Sequence, residues 1–407
     1  MQDMSGTPFN WQIEGWRGVN HSFALVNQQQ ILELLRLDGV RLFHRDLPFA
    51  FGHWSKATHD SGFPAGDQAR IAALAEPDGT PIDCIYRIVS PFRPPVPVSS
   101  RLGPRTLTFM TTEIGLPASS FVAGGGDAAA FVRDDDAIVT TTAWARDRLA
   151  DYGFPVEKIH IVPHGVDRSV FRPIDTAARD ASRANLGIAP EETVFLNIGA
   201  AIWNKGVDVL LRAFAILHER GLRVRLILKD QRDVYGLSVE QTLRDVGAEC
   251  PALLHAAASG AISIISTNMA RTQLPLLYGV ADCYASPYRA EGFNLPVLEA
   301  IACHLPVIVT QGGATDDFCD GRVGWQIEGR ACCTPAFGGA IPGRFIEPDL
   351  DALVAAMEAV ASGMAPAGDA IAARREILGH FTWKRAAAQL DRLARNEAGA
   401  TPARRAA

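Results

Sequence analysis

Short β-branched runs alternate with helix-compatible stretches from one end of this chain to the other, and that alternation limits the fold more than any other feature. Parallel strands are covered on both faces, so they read as short apolar runs, and each return to the next strand needs a crossover that is usually a helix. The pattern therefore predicts α/β architecture with parallel sheets. At 407 residues the chain exceeds what one core usually fills, and two domains of roughly 150 to 200 residues are expected.

In the first half, strands are predicted over 40–43, 84–89, 107–111, 137–141 and 159–163, and helices over 23–37 and 143–152. The proline-rich stretch 91–104 and the glycines of 124–127 read as loops. The polar, alanine-rich text between Phe171 and Glu192 reads as a connector, which puts a boundary near Arg172. Beyond it the pattern restarts, with strands over 194–198, 223–228, 262–265, 282–285 and 307–310 and a helix over 207–219. The expected organisation is a Rossmann-like domain over 1–172 and a second over 173–380. A C-terminal segment, 381–407, is expected to carry a helix (383–396) returning to the first domain, followed by a frayed tail.

A net charge of −6 gives no global attraction to nucleic acid, so any anion site must be local. The seven cysteines are scattered without a CxxC spacing, which disfavours a disulfide framework or structural zinc and fits a reducing cytoplasm. The start MQDMSGTPFNWQ lacks the apolar core of a signal peptide, and no run of apolar residues is long enough to span a bilayer. A cytoplasmic location is expected, with peripheral contact at the inner membrane face left open.

The densest constellation is SPYRAEGFNLPVLEAIACHLPVIVT, from Ser286 to Thr310, which reads as strand end, loop, helix and strand. Ligands of open α/β sheets sit beyond the carboxyl ends of strands, where helix N-termini direct N–H groups into the crevice. Gly292 allows close backbone approach, Asn294 is placed as N-cap and Pro296 in the first turn, so the amides of Gly292, Phe293, Asn294 and Leu295 face an oxygen-rich ligand. Glu291 and Glu299 flank them, and carboxylates accept hydrogen bonds from paired hydroxyls. An isolated acidic pair is ordinarily a solvated one; the complete block is more specific than the pair. In NIGAAIWNKGVDVLLRAF, from Asn197 to Phe214, a strand ends at Gly199 and Lys205-Gly206 opens an amphipathic helix. A lysine there opposes the helix dipole as a mere surface residue, but it suits an anionic ligand. His164 of IVPHGVDRSVF, taken alone, reads as structural. The acidic runs Asp134–Asp136 and Asp316-Asp317 read as acidic turns, and no metal site is expected.

Taken together, these blocks resemble the family 4 glycosyltransferases, retaining enzymes of the GT-B fold, in which two Rossmann-like domains with parallel sheets face each other across a cleft. EGFNLPVLEA carries the two glutamates of the family. PHGVD with Phe171 and Pro173 looks like its interdomain signature, and Gly199 with Lys205-Gly206 like its phosphate-side loop; the pair Gly312-Gly313 fits too. The resemblance implies transfer of a sugar from a nucleoside-diphosphate sugar to a hydroxyl on a glycan, lipid-linked or other acceptor, with retention and without a further cofactor. Glu291 would contact the sugar hydroxyls, Glu299 the ribose and Lys205 the diphosphate, and Gly18 in the loop 15–21 would lie near the donor phosphate. The loops 229–234 and 266–271 would select the base.

Two departures stand out. Ala200 occupies the place of a family arginine, leaving Arg289 or Arg17 to supply the cation, and 108–117 (TFMTTEIGLP) offers Thr111, Thr112 and Glu113 where the family often has a histidine. Two rival readings are a nucleotide-sugar epimerase of the same fold and a catalytically silent sugar-nucleotide-binding protein.

Overall fold

The structure, a computed structural model, describes residues 7–55, 62–93, 104–121, 137–335 and 341–397. Most of the proline-rich loop, the 124–127 loop, the run Asp134–Asp136 and the tail beyond 397 lie outside the described residues. The chain divides into two compact units: Met1–Gly165 with Pro335–Gly343 and Phe381–Ala407, and Val166–Thr334 with Arg344–His380. The division falls just before the expected Arg172, and the segment Pro335–Gly343 interrupts the second unit.

The first unit is a parallel six-stranded sheet in the order β2-β1-β3-β4-β5-β6. Its strands are β1 (Phe9–Gly15), β2 (Val40–Asp46), β3 (Cys84–Ile88), β4 (Arg105–Phe109), β5 (Ala137–Thr140) and β6 (Ile159–Ile161), and its helices include α1 (Ser22–Leu34), α2 (Ala65–Ala72) and α3 (Ala143–Asp151). Strand β1 was not expected from the sequence. Trp11 and Ile13 alternate with Asn10, Gln12 and Glu14, yet both sets are buried. Most of the polar set is paired internally: Asn10 Nδ2 donates to the Pro81 carbonyl at 2.9 Å, Gln12 Nε2 to Glu14 Oε1 at 2.7 Å and Arg87 Nε to Glu14 Oε2 at 2.8 Å, whereas Asn10 Oδ1 is buried without a hydrogen-bond partner among the described residues.

The C-terminal helix (Trp383–Ala394), N-capped by the Thr382 side chain, packs on α1. Arg395 lies 4.5 Å over the Phe9 ring. His164 sits between Phe109 and Trp383, with ring centroids 5.9 and 5.5 Å away, and burial holds its pKa down at about 3. It is a neutral core histidine. A Cβ on Gly165 would fall 2.0 Å from the Trp383 amide, so the Pro-His-Gly turn admits the end of this helix only because residue 165 has no side chain.

The second unit runs through α4 (Thr176–Asn185), β7 (Thr193–Ile198), α5 (Val207–Glu219), β8 (Val224–Lys229), α6 (Arg232–Tyr235), α7 (Val239–Glu249), α8 (Pro251–Ala258) and β9 (Ile262–Ile265). It continues with α9 (Leu274–Val280), β10 (Cys283–Ser286), α10 (Leu295–Ala302), β11 (Val307–Thr310), β12 (Gly324–Ile327), a two-stranded sheet of β13 (Gly329–Thr334) and β14 (Gly343–Pro348), α11 (Leu350–Ala361) and α12 (Ala370–His380). The main sheet is parallel in the order β12-β11-β10-β7-β8-β9.

Helix α5 presents Val207, Leu210, Leu211, Phe214 and Leu217 to a core shared with Leu353 and Met357 of α11. Each such side chain contributes about 1.5–3 kcal/mol on burial, and Leu210→Ala would cost about 2–5 kcal/mol.

The expected connector between Phe171 and Glu192 contains α4, a helix of this unit rather than a passive link. Asp175 caps it. Arg179 and Arg183 bind the two carboxylate oxygens of Asp282 at 2.6 and 3.2 Å, and Arg183 Nη1 also donates to the Val280 carbonyl at 3.0 Å. Few large apolar residues mark α4 because arginines dock it.

Candidate functional site

Strand order decides where the second unit can hold a ligand. From β7 the chain moves outward through β8 and β9, then returns to the other side of β7 as β10. Loops leaving the carboxyl ends of β7 and β10 therefore diverge and open a crevice at this topological switch point. Lys205 lies on the first loop and Glu291 on the second.

The two loops are stitched together by backbone contacts. The Arg289 amide donates to the Asn204 carbonyl at 2.7 Å, and Asn204 Nδ2 donates to the Ala290 carbonyl at 3.0 Å. Gly206 has φ +68°, and a Cβ there would lie 1.9 Å from the Pro287 carbonyl oxygen. The Lys-Gly pair is thus a condition of close approach: glycine lets the Lys205 loop press onto the loop after β10. The result is an ion pair, Lys205 Nζ to Glu291 Oε1 at 2.5 Å, with the Glu291 side chain 6% and the Lys205 side chain 23% exposed.

Beside this pair, α10 begins at Leu295 with Asn294 as N-cap in left-handed geometry (φ 72°, ψ 63°) and Pro296 in the first turn. The Asn294 side chain does not cap the helix; its Nδ2 donates to Ser286 Oγ at 3.0 Å. The positive end of the α10 dipole is therefore not neutralised by a capping side chain. Phe293 is buried and stacked on Phe318 at 4.9 Å, so its ring serves packing. Tyr288 explains the glycine pair that follows β11: its hydroxyl pairs with Thr315 Oγ1 at 2.7 Å, and a Cβ on Gly313 would lie 2.6 Å from it.

Glu299, in the second turn of α10, is held within the unit. Its Oε2 accepts from the Tyr278 hydroxyl at 2.9 Å, and Arg271 lies 3.9 Å from Oε1. Burial raises its pKa, and the Arg271 charge and the Tyr278 hydrogen bond pull in the opposite direction. Tyr278 and Arg271 carry no signal in the sequence that ties them to Glu299. The loops expected to face the base do converge: Ser266 Oγ donates to Asp230 Oδ2, and Arg232 Nη2 to Ser266 Oγ, each at 3.1 Å.

Two expected cations are engaged elsewhere. The Arg289 guanidinium grips both oxygens of Asp208 and both of Glu347 at 2.7–2.8 Å and stacks 4.7 Å over Trp203. Burial disfavours its charge, but these two carboxylates outweigh that and raise its pKa. It is a clamp tying the loop after β10 to α5 and β14, and it does not replace the arginine missing at Ala200. Arg17, in the first unit, binds Asp46 twice, at 2.9 and 3.2 Å, and the Leu74 carbonyl at 3.0 Å. Gly18, also in the first unit, has φ +78°, and its amide donates to Gln28 Oε1 at 3.1 Å rather than facing a ligand. Gly199 ends β7 with its amide on the Lys229 carbonyl at 3.0 Å and open space around its Cα.

In the first unit, the hydroxyls of Thr111 and Thr112 are buried without a hydrogen-bond partner among the described residues, and the Glu113 carbonyl accepts from Trp144 Nε1 at 2.9 Å. His21, in the loop after β1, caps α1 by accepting from the Phe23 amide at 3.2 Å, and burial lowers its pKa to about 3. Among the described residues no cluster of His, Cys, Asp or Glu could hold a metal ion, and no helix is long and apolar enough to cross a membrane.

Residues 178–330 match the family model described as Glycosyl transferases group 1. The chain is 33% identical over 186 residues to a D-inositol 3-phosphate glycosyltransferase of Segniliparus rotundus, covering 45% of this chain and 38% of that protein. It is 31% identical over 189 residues to a mannosylfructose-phosphate synthase of Agrobacterium fabrum, covering 44% and 39%. The match thus spans about two fifths of the length of these curated relatives. Among solved structures, a glycosyltransferase from Rickettsia africae superposes with a TM-score of 0.68 at 13% identity, covering 96% of this chain and 99% of that one. The Anabaena protein HepE, crystallised with UDP-glucose, gives 0.65 at 13% identity, covering 95% and 99%. Residues 178–330 thus carry the match to the group 1 glycosyl transferases, and the chain has the GT-B fold of the solved structures it superposes on.

Proposed function

We propose that the second unit binds a nucleoside-diphosphate sugar beyond the carboxyl ends of β7 and β10, and that the protein transfers the sugar to an acceptor hydroxyl with retention, as a family 4 enzyme. The Lys205–Glu291 pair at 2.5 Å carries this reading, because it sets a cation and a hydroxyl-binding acid beside the uncapped start of α10. In the reaction the bond from the anomeric carbon to the phosphate oxygen breaks, and the oxygen keeps the electron pair. Lys205 and the α10 dipole stabilise the charge gathering there. The acceptor hydroxyl attacks the same face and its proton passes to the departing phosphate, so no protein nucleophile is needed. Glu291 would hold the sugar hydroxyls and Glu299 the ribose. All seven cysteines are free thiols, which suits work in the cytoplasm.

Incubation with UDP-, GDP- and ADP-sugars, with and without acceptors, tests this. A transferase releases diphosphate, slowly even without acceptor; an epimerised donor would favour the isomerase, and an unchanged donor a silent binding protein. Lys205→Ala and Glu291→Ala should each lose about a hundredfold or more in turnover. Wild-type turnover in Lys205→Ala would refute the phosphate assignment.

A further inference from the structure

We propose that Lys229 supplies a second cation to the donor diphosphate, at the carboxyl end of β8. The inference rests on the nucleotide-sugar reading above. Lys229 is the last residue of β8, and β8 lies beside β7 with Ile198 and Lys229 in register. The Gly199 amide donates to the Lys229 carbonyl at 3.0 Å. The lysine therefore stands about one strand spacing, ~4.8 Å, from the start of the loop that carries Lys205.

Its surroundings are those of an incomplete anion site. The residue is 6% exposed. Its ammonium donates to the backbone carbonyl of Asp230, and among the described residues it forms no ion pair with a carboxylate. Asp230 and Asp233 act on it only at range, and burial lowers its pKa. Asp230 directs its own oxygens to Arg232 and Ser266. An ammonium has three donors, and a buried charge without a partner is unfavourable until an anion completes it. Next to it, Gly199 has nothing within 4 Å of where a Cβ would stand, and Ala200 adds only a methyl group. Arg289 is clamped between Asp208 and Glu347, which leaves the cationic role at this edge to Lys205 and Lys229.

The test is calorimetric titration of the full chain with inorganic pyrophosphate, with UDP, GDP and ADP, and with the matching nucleosides, for wild type, Lys229→Met, Lys229→Gln and Lys229→Arg. Losing a charge-assisted hydrogen bond should weaken pyrophosphate and diphosphate binding about ten- to a hundredfold in the Met and Gln variants. Arg should restore most of it, and the thermal midpoints of all variants should stay at or above wild type. Wild-type affinity in both neutral variants overturns the assignment and leaves the nucleotide reading intact. An equal loss for nucleosides overturns it too, because the contact would then be to the base or ribose. Lys229-dependent binding of pyrophosphate with no nucleotide binding would keep the subsite and sink the nucleotide reading. A wild type that binds none of these ligands sinks both.

Discussion

Gly206→Ala should uncouple the two loops of the site. A Cβ at this position would lie 1.9 Å from the Pro287 carbonyl oxygen, so relief of the contact needs a displacement of at least about an ångström, since Cβ contacts essentially never fall below 3.0 Å. At φ +68° alanine also carries a left-handed penalty of about 1–2 kcal/mol. Separating the loops strains the Asn204 bonds to the Arg289 amide and the Ala290 carbonyl, at about 1 kcal/mol each. The total is about 3–4 kcal/mol, which for a unit of this size lowers the melting midpoint by roughly 6–16 °C. Turnover should fall about a hundredfold, the usual result of a one-ångström misplacement. Circular dichroism melts and donor-hydrolysis rates measure the two effects, with Gly199→Ala as a control on stability. Gly199 has ordinary φ and open space, so its substitution should change stability by no more than about 0.5 kcal/mol. A Gly206→Ala protein that melts within about 2 °C of wild type and turns over normally would refute the close-approach argument.

Acid should weaken the first unit in a defined window. His21 and His164 have folded-state pKa values lowered by burial to about 3 from an ordinary 6.5, so below 6.5 the unfolded chain takes up protons that the folded unit does not. Their stabilisation is complete above pH 6.5 and is lost as pH falls towards 3, at about 1.4 kcal/mol per pH unit for each. Denaturant titrations at pH 7 and 5 should show a smaller loss for His164→Phe than for wild type; an equal loss would exclude His164 as a source. Arg289→Met should destabilise the second unit by about 2–4 kcal/mol by leaving Asp208 and Glu347 facing each other unpaired. Arg289→Lys should not recover it, because an ammonium cannot grip both carboxylates; a wild-type melt for either variant would disprove the clamp.

Strands β7 to β11 and α5 were legible because their apolar runs are bounded by turn residues, and the helix 207–219 coincides with α5, whereas the edge strand β12 was not expected. The loop block from Ser286 was legible because one contiguous segment carries both acids and the helix start. Other features depended on partners remote in sequence. Strand β1 reads as half-polar because the partners of Asn10 and Glu14 lie near β3. Helix α4 reads as a linker because its docking residue, Asp282, is about a hundred positions away. Arg289 looked available because neither Asp208 nor Glu347 is its neighbour in the text. Lys229 was named only within a loop thought to face the base, since burial of a strand-end lysine leaves no periodic trace.

The pairing of Gly165 with the start of the C-terminal helix bears on how the protein is made. The amino-terminal portion leaves the ribosome first, yet the tryptophan that covers His164 and the helix that packs on α1 are translated only after the second unit. At roughly 5–20 residues per second, the stretch from 166 to 380 takes about 10–45 s to synthesise. During that interval the second unit, contained almost entirely in that stretch, can fold while the early-made sheet waits with an apolar flank uncovered. That nascent flank is where holdase chaperones would act, and a premature stop before Trp383 would strand the sheet in the same state permanently.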